Sequence, residues 1–212
     1  HQVYGTVNYY VQKLFMNNQG NQLLEIKAEE IPDNNMMTAD PNRISGDIIL
    51  STNESTAEYY DITLTNEETL ETLNFSSYTL EKDQNAILNN VDWKNYTLKL
   101  KAKEKEGFKG FNIIFGQKDE QNRLYWEIGG WQNQDTTMSE LISGRGSCMS
   151  QCLITVEKDR EYQLELKVTG RFIETFIDGE ANHAIESKPV ILEPLYYSAS
   201  KEDASGETII KV

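Results

Sequence analysis

The first part of the chain carries apolar residues in a helical period. One face of the predicted helix consists of Val7, Tyr10, Val11, Leu14 and Phe15. These residues recur three and four positions apart, which is the spacing that gives an α-helix one apolar face. The pattern stops at residues 17–20, where Gly20 is expected to adopt the left-handed conformation that ends many helices. The sequence therefore predicts one amphipathic helix near the start of the chain.

Beyond residue 20 the apolar period changes from helical to alternating. In 96–102 and in 162–168 every second residue is apolar, which is typical of strands with one buried face. Shorter runs predict further strands at 24–28, 44–50, 60–64, 111–115, 124–128, 173–177 and 208–212. Glycines separate these runs, and Asp178-Gly179 predicts a hairpin turn.

The order of these elements predicts a mostly β fold. Many short strands follow a single N-terminal helix, and no helical pattern after residue 20 supplies the crossovers that a parallel sheet needs. We therefore predict an antiparallel β-sandwich of the jelly-roll type. Residues 31–41, with two prolines and several Asp and Asn residues, are the best candidate for a linker.

The charge of the chain argues against two classes of partner. The 212 residues include 34 acidic and 20 basic side chains, for a net charge of −14, and the basic residues form no cluster. Nothing in the sequence favours binding to nucleic acid or to an anionic membrane. No apolar run approaches the roughly 20 residues of a membrane-spanning helix. Because there is no initial Met and a helical pattern is already present at Val7, we expect a piece of a longer protein.

No residue is predicted to be catalytic. A pair of carboxylates would suit glycoside hydrolysis, but the nearest acidic group, Glu157, Asp159 and Glu161, surrounds a predicted turn. The interpretation favoured for this group is a solvated surface. The sequence also lacks a nucleophile elbow, a phosphate-binding loop and a zinc-protease helix motif.

The cysteines and one aspartate are the remaining candidates for redox or metal chemistry. Cys148 and Cys152 allow either a small-loop disulfide or two free thiols. A zinc site is not expected, because His1 and His183 are the only histidines. Asp178 suits either the hairpin turn, which is favoured, or a structural calcium ion. No other cofactor is predicted, and no metal ligand is assigned.

Residues 124–133 are the best candidate for ligand binding. Alternation places Leu124, Trp126 and Ile128 on the buried face of a strand, so that Tyr125 and Glu127 face outward. Flat aromatic rings stack on the C–H faces of sugars, while amides bond their hydroxyl groups. The candidate carbohydrate-binding residues are Tyr125, Trp131, Gln132 and Asn133. Packing at the edge of the sandwich is the alternative role for these four residues.

Both ends of the chain resemble one enzyme family. Val-Tyr-Gly-Thr-Val-Asn-Tyr-Tyr-Val-Gln-Lys-Leu-Phe at 3–15 and Asn-Asn-Gln-Gly at 17–20 resemble the last barrel helix of the α-L-arabinofuranosidases of glycoside hydrolase family fifty-one. Residues 195–200 and 206–212 are similar to the start of that family's C-terminal β-domain. Between them, 46–50, 57–62, 93–96, 124–133 and 162–179 resemble laminin-G-like or concanavalin A-like sandwiches attached to bacterial polysaccharide enzymes.

The resemblance implies four regions. They are the last helix of a catalytic barrel that is otherwise missing (1–20), a strand and linker (21–41), a carbohydrate-binding-like jelly roll (42–194) and the start of a C-terminal β-domain (195–212). In this family the catalytic glutamates belong to barrel strands that precede the helix, so no residue here inherits their roles. The chain alone is therefore expected to be inactive.

The resemblance also implies a function. It is that of a non-catalytic accessory region in an α-L-arabinofuranosidase that acts on arabinose-containing plant polysaccharides. The implied partners are such a polysaccharide or oligosaccharide and the protein's own catalytic barrel, with no nucleic acid and no membrane. The alternative is a structural insertion that supports the catalytic domain and binds no sugar. An extracellular or periplasmic location in a bacterium is expected from the same resemblance.

Overall fold

The computed structural model describes residues 7–25, 44–187 and 198–211, which fall into two compact units. One unit consists of residues 7–25 together with 198–211, and the other consists of residues 44–187. The predicted linker at 31–41, most of the predicted strand at 24–28 and residues 195–197 lie outside the described residues. The two ends of the chain thus share one unit, and the middle forms the other.

The described residues contain two helical segments, α1 (Val7–Asn17) and the four-residue α2 (Gly130–Asn133), and neither is long and apolar enough to cross a membrane. The strands are β1 (Gln22–Leu24), β2 (Gly46–Ser51), β3 (Thr56–Asn66), β4 (Thr72–Phe75), β5 (Tyr78–Leu80), β6 (Asn85–Val91), β7 (Asn95–Glu106), β8 (Phe111–Asp119), β9 (Asn122–Gly129), β10 (Asp135–Ile142), β11 (Arg145–Leu153), β12 (Glu161–Thr169), β13 (Phe172–Ile177), β14 (Glu180–Glu186), β15 (Ser198–Lys201) and β16 (Thr208–Lys211).

The predicted N-terminal helix is confirmed as α1, but it ends differently from the prediction. The backbone amide and the side-chain amide of Asn18 both donate to the Leu14 carbonyl oxygen, at 3.2 and 2.8 Å. The predicted left-handed cap at Gly20 is wrong, because the φ angle of Gly20 is not positive. A β-carbon at Gly20 would lie 2.6 Å from the Lys201 carbonyl oxygen. This glycine therefore permits the close approach of two backbone segments.

The unit formed by the two ends contains a three-stranded antiparallel sheet in the order β1-β15-β16. Leu24 of β1 pairs with Ala199 of β15, and the Gly20 amide donates to the Ser200 hydroxyl at 3.1 Å. The described apolar side chains of α1, from Tyr10 to Met16, are exposed. Residues from both ends of the chain thus contribute to one sheet.

The middle of the chain folds into a sandwich of two sheets. One sheet has six strands in the order β11-β10-β9-β8-β2-β6. The other has seven strands in the order β14-β13-β12-β7-β3-β4, with β5 also paired to β3. All of these pairings are antiparallel. The predicted antiparallel β-sandwich preceded by one helix is confirmed.

The alternating pattern decides which residues fill the core between the sheets. On β7 and β12 apolar residues alternate with polar ones, and the apolar residues are buried as the sequence predicts. The side chains between them form surface ion pairs such as Lys99–Glu165, at 3.4 Å. In the core, Phe111 packs edge to face on Tyr59 and Tyr162, with ring centroids 6.1 and 5.8 Å apart. Burial of these apolar surfaces is the main force that holds the two sheets together.

Candidate functional site

The candidate segment lies on the outer face of the six-stranded sheet, where β9, β10 and β11 run side by side. The register of these strands defines two cross-strand rows, Tyr125–Ser139–Cys148 and Glu127–Thr137–Gln151. Side chains in such rows face the same side of a sheet and lie within contact distance of one another. The rows therefore place an aromatic ring, a carboxylate, an amide and hydroxyl groups on one surface.

The two rows form the floor of a groove of about 470 Å³. Trp131, Gly146 and Ser147 complete its lining. Thr137 and Ser139 of β10 are buried although they lie on the outer face of the sheet. The surrounding side chains therefore cover this part of β10. The volume lies within the range of about 300–1,000 Å³ that is common for small-molecule sites.

Trp131 projects from a left-handed turn at one end of the groove. Trp131, Gln132 and Asn133 have φ angles of 45°, 61° and 62°, a conformation that costs roughly 1–2 kcal/mol for each residue other than glycine. Asn133 holds the turn, because its Nδ2 donates to the Val156 carbonyl oxygen and its Oδ1 accepts the Val156 amide, both at 2.7 Å. Trp131 is 76% exposed. A strained but anchored turn thus presents the indole ring to solvent.

Two carboxylates approach each other beside Gly130. A β-carbon at Gly130 would lie 2.7 Å from Asp135 Oδ1 and 3.0 Å from Glu127 Oε2, so a larger residue would require the Asp135 carboxylate to shift. Burial raises the pKa of Glu127; Lys109 opposes this shift, and the charge of Asp135 adds to it. Asp135 is itself buried, and its Oδ2 accepts a hydrogen bond from Gln151 Nε2. Its Oδ1 has no hydrogen-bond partner among the described residues.

The structure brings together only part of the predicted site. Tyr125 and Trp131 both line the groove. Gln132 and Asn133 do not line it. Gln132 is exposed to solvent, and Asn133 uses both polar atoms of its side chain to hold the backbone beneath the turn. The candidate set thus divides into two groove residues, one exposed turn residue and one structural anchor.

The polar half of the groove is absent from the sequence prediction. Thr137, Ser139, Cys148 and Gln151 belong to β10 and β11, which the alternation of apolar residues does not indicate. The β-branched pair Thr136-Thr137 is a weak signal for β10. Residues 145–153 are mostly small and polar, with no alternation that could have identified β11.

A second polar cluster lies between the two sheets. Trp126 Nε1 donates to Thr136 Oγ1 at 2.9 Å, and the ring nitrogens of His183 contact Thr136 Oγ1 and Ser150 Oγ at 3.2 and 2.9 Å. Trp126 is fully buried, which confirms its predicted core position. Burial lowers the pKa of His183, which favours the neutral imidazole. Such a satisfied network fixes the relative position of the strands that contribute to it.

The two cysteines are free thiols that face different sides of β11. The pairing of β10 with β11 contains a bulge, since Met138 pairs with Ser150 while Ser139 pairs with Cys148. Cys148 therefore lines the groove. Cys152 faces the opposite sheet, where its thiol donates to the Asn182 carbonyl oxygen at 3.3 Å. Of the two states left open by the sequence, the structure has the free thiols.

Asp178 belongs to the hairpin turn that the sequence predicts between β13 and β14. Asp178 and Gly179 have φ angles of 52° and 82°, as a two-residue hairpin turn requires. The Asp178 carboxylate accepts the Gln163 amide and pairs with Arg160 Nη2, both at 2.8 Å. In residues 7–25, 44–187 and 198–211, no group of three or more His, Cys, Asp or Glu is placed to hold a metal ion.

The fold and the groove define a β-sandwich that carries a polar groove with an exposed tryptophan at its edge. In sequence, the chain is 30% identical over 235 aligned residues to the extracellular exo-alpha-L-arabinofuranosidase of Streptomyces chartreusis. The alignment covers 99% of this chain and 28% of that enzyme, so the chain corresponds to a region of it. The relationship to α-L-arabinofuranosidases predicted from the sequence is confirmed. No family model and no solved structure matches the chain.

Proposed function

We propose that the chain is a non-catalytic accessory region of an α-L-arabinofuranosidase. In this proposal residues 44–187 bind arabinose-containing plant polysaccharide through the groove on β9, β10 and β11. One observation carries the binding role: Trp131 is 76% exposed, and an anchored left-handed turn holds it beside a polar groove. Exposed aromatic side chains at a groove are typical of ligand-binding surfaces.

The chemistry of the groove suits a sugar. The indole face of Trp131 can cover the C–H face of a sugar ring, which removes apolar surface from water on both partners. Glu127, Thr137 and Gln151 form the nearer row of the floor and offer carboxylate, hydroxyl and amide groups to sugar hydroxyls. The row that contains Tyr125 lies about 7 Å further along the strands. The groove therefore offers contacts to more than one sugar unit.

The division of the chain into two units supports an inserted module. The strand β1 pairs with β15 in one sheet, although the whole sandwich lies between them in the sequence. In the proposal, the unit formed by the two ends of the chain belongs to the body of the enzyme, and the sandwich is an insertion in it. The proposed domain bounds are those predicted from the sequence, in which the sandwich occupies residues 42–194.

The role of the sandwich is to place the enzyme on its substrate. The related enzyme is named as an extracellular exo-α-L-arabinofuranosidase, and we extend that activity and location to the whole protein to which this chain corresponds. Catalysis then belongs to a barrel formed by other parts of that protein. Even weak binding by the sandwich would raise the effective concentration of the active site on a polymer that offers many binding units.

Isothermal titration calorimetry with arabinan and arabinoxylan oligosaccharides tests the binding role. We expect dissociation constants of about 0.1–1 mM, which is reasonable for one or two stacked sugar units. Trp131→Ala should weaken binding roughly two- to tenfold, because stacking on an aromatic ring contributes about 0.5–1.5 kcal/mol. Phe172→Ala is the matched control: Phe172 is an exposed aromatic residue on β13 of the other sheet, so its removal should leave binding unchanged.

The two free cysteines offer an independent test of the location of the ligand. Cys148 lines the groove and is exposed, whereas Cys152 faces the opposite sheet and is half-buried. A bound oligosaccharide should slow the alkylation of Cys148 by iodoacetamide and leave the rate at Cys152 unchanged. Equal protection of both thiols, or of neither, would place the ligand outside the groove.

The alternative role is a structural insertion that binds no sugar. It would be supported if neither oligosaccharide binds and Trp131→Ala has no effect on the titration. The absence of a catalytic role has its own test, which is the hydrolysis of an aryl α-L-arabinofuranoside by this chain alone. Turnover would contradict the non-catalytic role.

A further inference from the structure

We infer that the Trp131 end of the groove accepts uncharged sugar units and rejects uronic acids, and that Glu127 is the residue that determines this specificity. The inference rests on the proposed sugar-binding role of the groove and names the class of glycan that it takes. Many plant polysaccharides carry both neutral and acidic side units, so this discrimination decides which segments of a polymer the sandwich can occupy.

At this end of the groove, Glu127 is an acceptor that matches a ligand hydroxyl rather than a ligand carboxylate. Gln151 donates one of its two Nε2 hydrogens to Asp135, which leaves its carbonyl oxygen and its second N–H for a ligand. Glu127 lines the groove, and its ionised carboxylate can only accept hydrogen bonds. A sugar hydroxyl can donate to these acceptors. The carboxylate of a uronic acid cannot donate to them, because it is itself only an acceptor.

The charges at this end of the groove also oppose an acidic ligand. Glu127 Oε2 and Asp135 Oδ1 both lie within 3.0 Å of the position that a Gly130 β-carbon would occupy, which concentrates negative charge beside Trp131. Among the described residues that line the groove, none is Lys or Arg. Lys109, whose charge acts on Glu127, already pairs with Glu54 at 3.1 Å.

The nearest arginine on the same strand lies too far away to offset this charge. Arg123 lies on the same strand four residues before Glu127, on the far side of Tyr125. This spacing corresponds to roughly 13 Å along the strand. That distance exceeds the Debye length of about 8 Å at physiological ionic strength. A uronate stacked on Trp131 would therefore experience the repulsion of Glu127 and Asp135. We expect it to bind roughly tenfold more weakly than its neutral counterpart.

A matched pair of ligands tests the inference. Glucuronoarabinoxylan oligosaccharides and the same oligosaccharides after reduction of their carboxyl groups differ only at the uronate. Calorimetric titration at about pH 8 and about 0.15 M salt keeps the carboxylates ionised and limits the weakly screened interactions to groups within about 8 Å. The chain should bind the reduced ligand about tenfold more tightly than the acidic one. Glu127→Gln should narrow this preference to about threefold or less, and it should also weaken binding of the neutral ligand, because an amide oxygen is a weaker acceptor than a carboxylate.

Glu174→Gln is the matched control. It makes the same change in net charge on β13, which belongs to the opposite sheet, so it should leave the preference unchanged. Circular dichroism and thermal unfolding show whether each variant folds. A second measurement needs no variant: salt at about 0.5 M should reduce the preference of the unaltered chain, because it shortens the Debye length to a few ångströms.

The outcomes separate the inference from the proposed function. Equal affinity for the two ligands, a preference that Glu127→Gln leaves unchanged, or a preference insensitive to salt would overturn the inference and leave sugar binding intact. No binding of either ligand would overturn the proposed function and the inference with it. A preference for the neutral ligand that is lost in Glu127→Gln and retained in Glu174→Gln would support both.

Discussion

Asn133 connects the left-handed turn of Trp131 to the core, and Asn133→Ala tests the strength of that connection. The side chain makes two hydrogen bonds of 2.7 Å to the backbone of Val156, which is 2% exposed. Its removal leaves a buried N–H and a buried C=O without partners, at a cost of about 1–3 kcal/mol each. Alanine at a φ of 62° adds about 1 kcal/mol. We expect the free energy of unfolding to fall by about 4 kcal/mol.

Urea denaturation followed by circular dichroism and tryptophan fluorescence measures this loss. With a denaturant dependence of about 2 kcal/mol per molar urea, the midpoint should fall by about 2 M. Gln132→Ala is the matched control, because Gln132 has nearly the same φ, 61°, and is exposed. It should cost about 1 kcal/mol or less. The difference between the variants, about 3 kcal/mol, is then the contribution of the two hydrogen bonds.

Two results would refute this account of Asn133. If Asn133→Ala and Gln132→Ala unfold at the same urea concentration, the hydrogen bonds to Val156 contribute nothing to stability. If Asn133→Ala keeps full stability but no longer binds oligosaccharide, Asn133 contacts the sugar directly, as the sequence predicts. Asn133→Asp gives a finer test, because the carboxylate still accepts the Val156 amide but cannot donate to its carbonyl oxygen. Its stability should lie between those of the wild type and Asn133→Ala.

Trp126→Phe removes the Nε1 donor that reaches Thr136 at 2.9 Å and should lower the free energy of unfolding by about 2–3 kcal/mol; an unchanged urea midpoint would contradict this. Gly179→Ala puts a β-carbon into open space at a φ of 82°, so it should cost about 1 kcal/mol and lower Tm by about 2–4 °C through the backbone alone. Burial raises the pKa of Glu127 above its ordinary value of 4.5, so the folded state loses stability as pH rises through the two pKa values. Glu127→Gln should therefore be more stable than wild type at pH 7 in thermal unfolding, and a gain that persists below about pH 4 would contradict the assigned cause.

The class of fold follows from the sequence because the central strands have one buried and one exposed face. From Tyr96 to Ala102 on β7 and from Tyr162 to Val168 on β12, apolar residues alternate with polar ones, and both strands lie inside the seven-stranded sheet. β11 is an edge strand whose residues are mostly exposed. Its sequence carries no hydrophobic period, because few of its side chains are buried. Pairing with β10, rather than local pattern, holds it in the sheet.

The sequence predicts only those features of the candidate site that depend on neighbouring residues in the chain. The positions of Tyr125 and Trp126 follow from their places on β9, since one faces outward and the other inward. The role of Asn133 depends on Val156, a partner distant in sequence. Composition gives no signal for that contact. The contribution of Gln151 likewise depends on the register of β11 against β10, which the sequence does not determine.

The concentration of unfavourable features at one end of the groove supports a binding role over a purely structural one. Three consecutive non-glycine residues are left-handed, the pKa of Glu127 is raised by burial, and Asp135 Oδ1 has no hydrogen-bond partner among the described residues. The left-handed residues and the unpartnered oxygen each cost about 1 kcal/mol or more. In a purely structural insertion, these destabilising features beside an exposed tryptophan would serve no purpose. A groove that must hold an indole ring beside a row of polar side chains gains the geometry that ligand binding needs, and binding then offsets part of the strain.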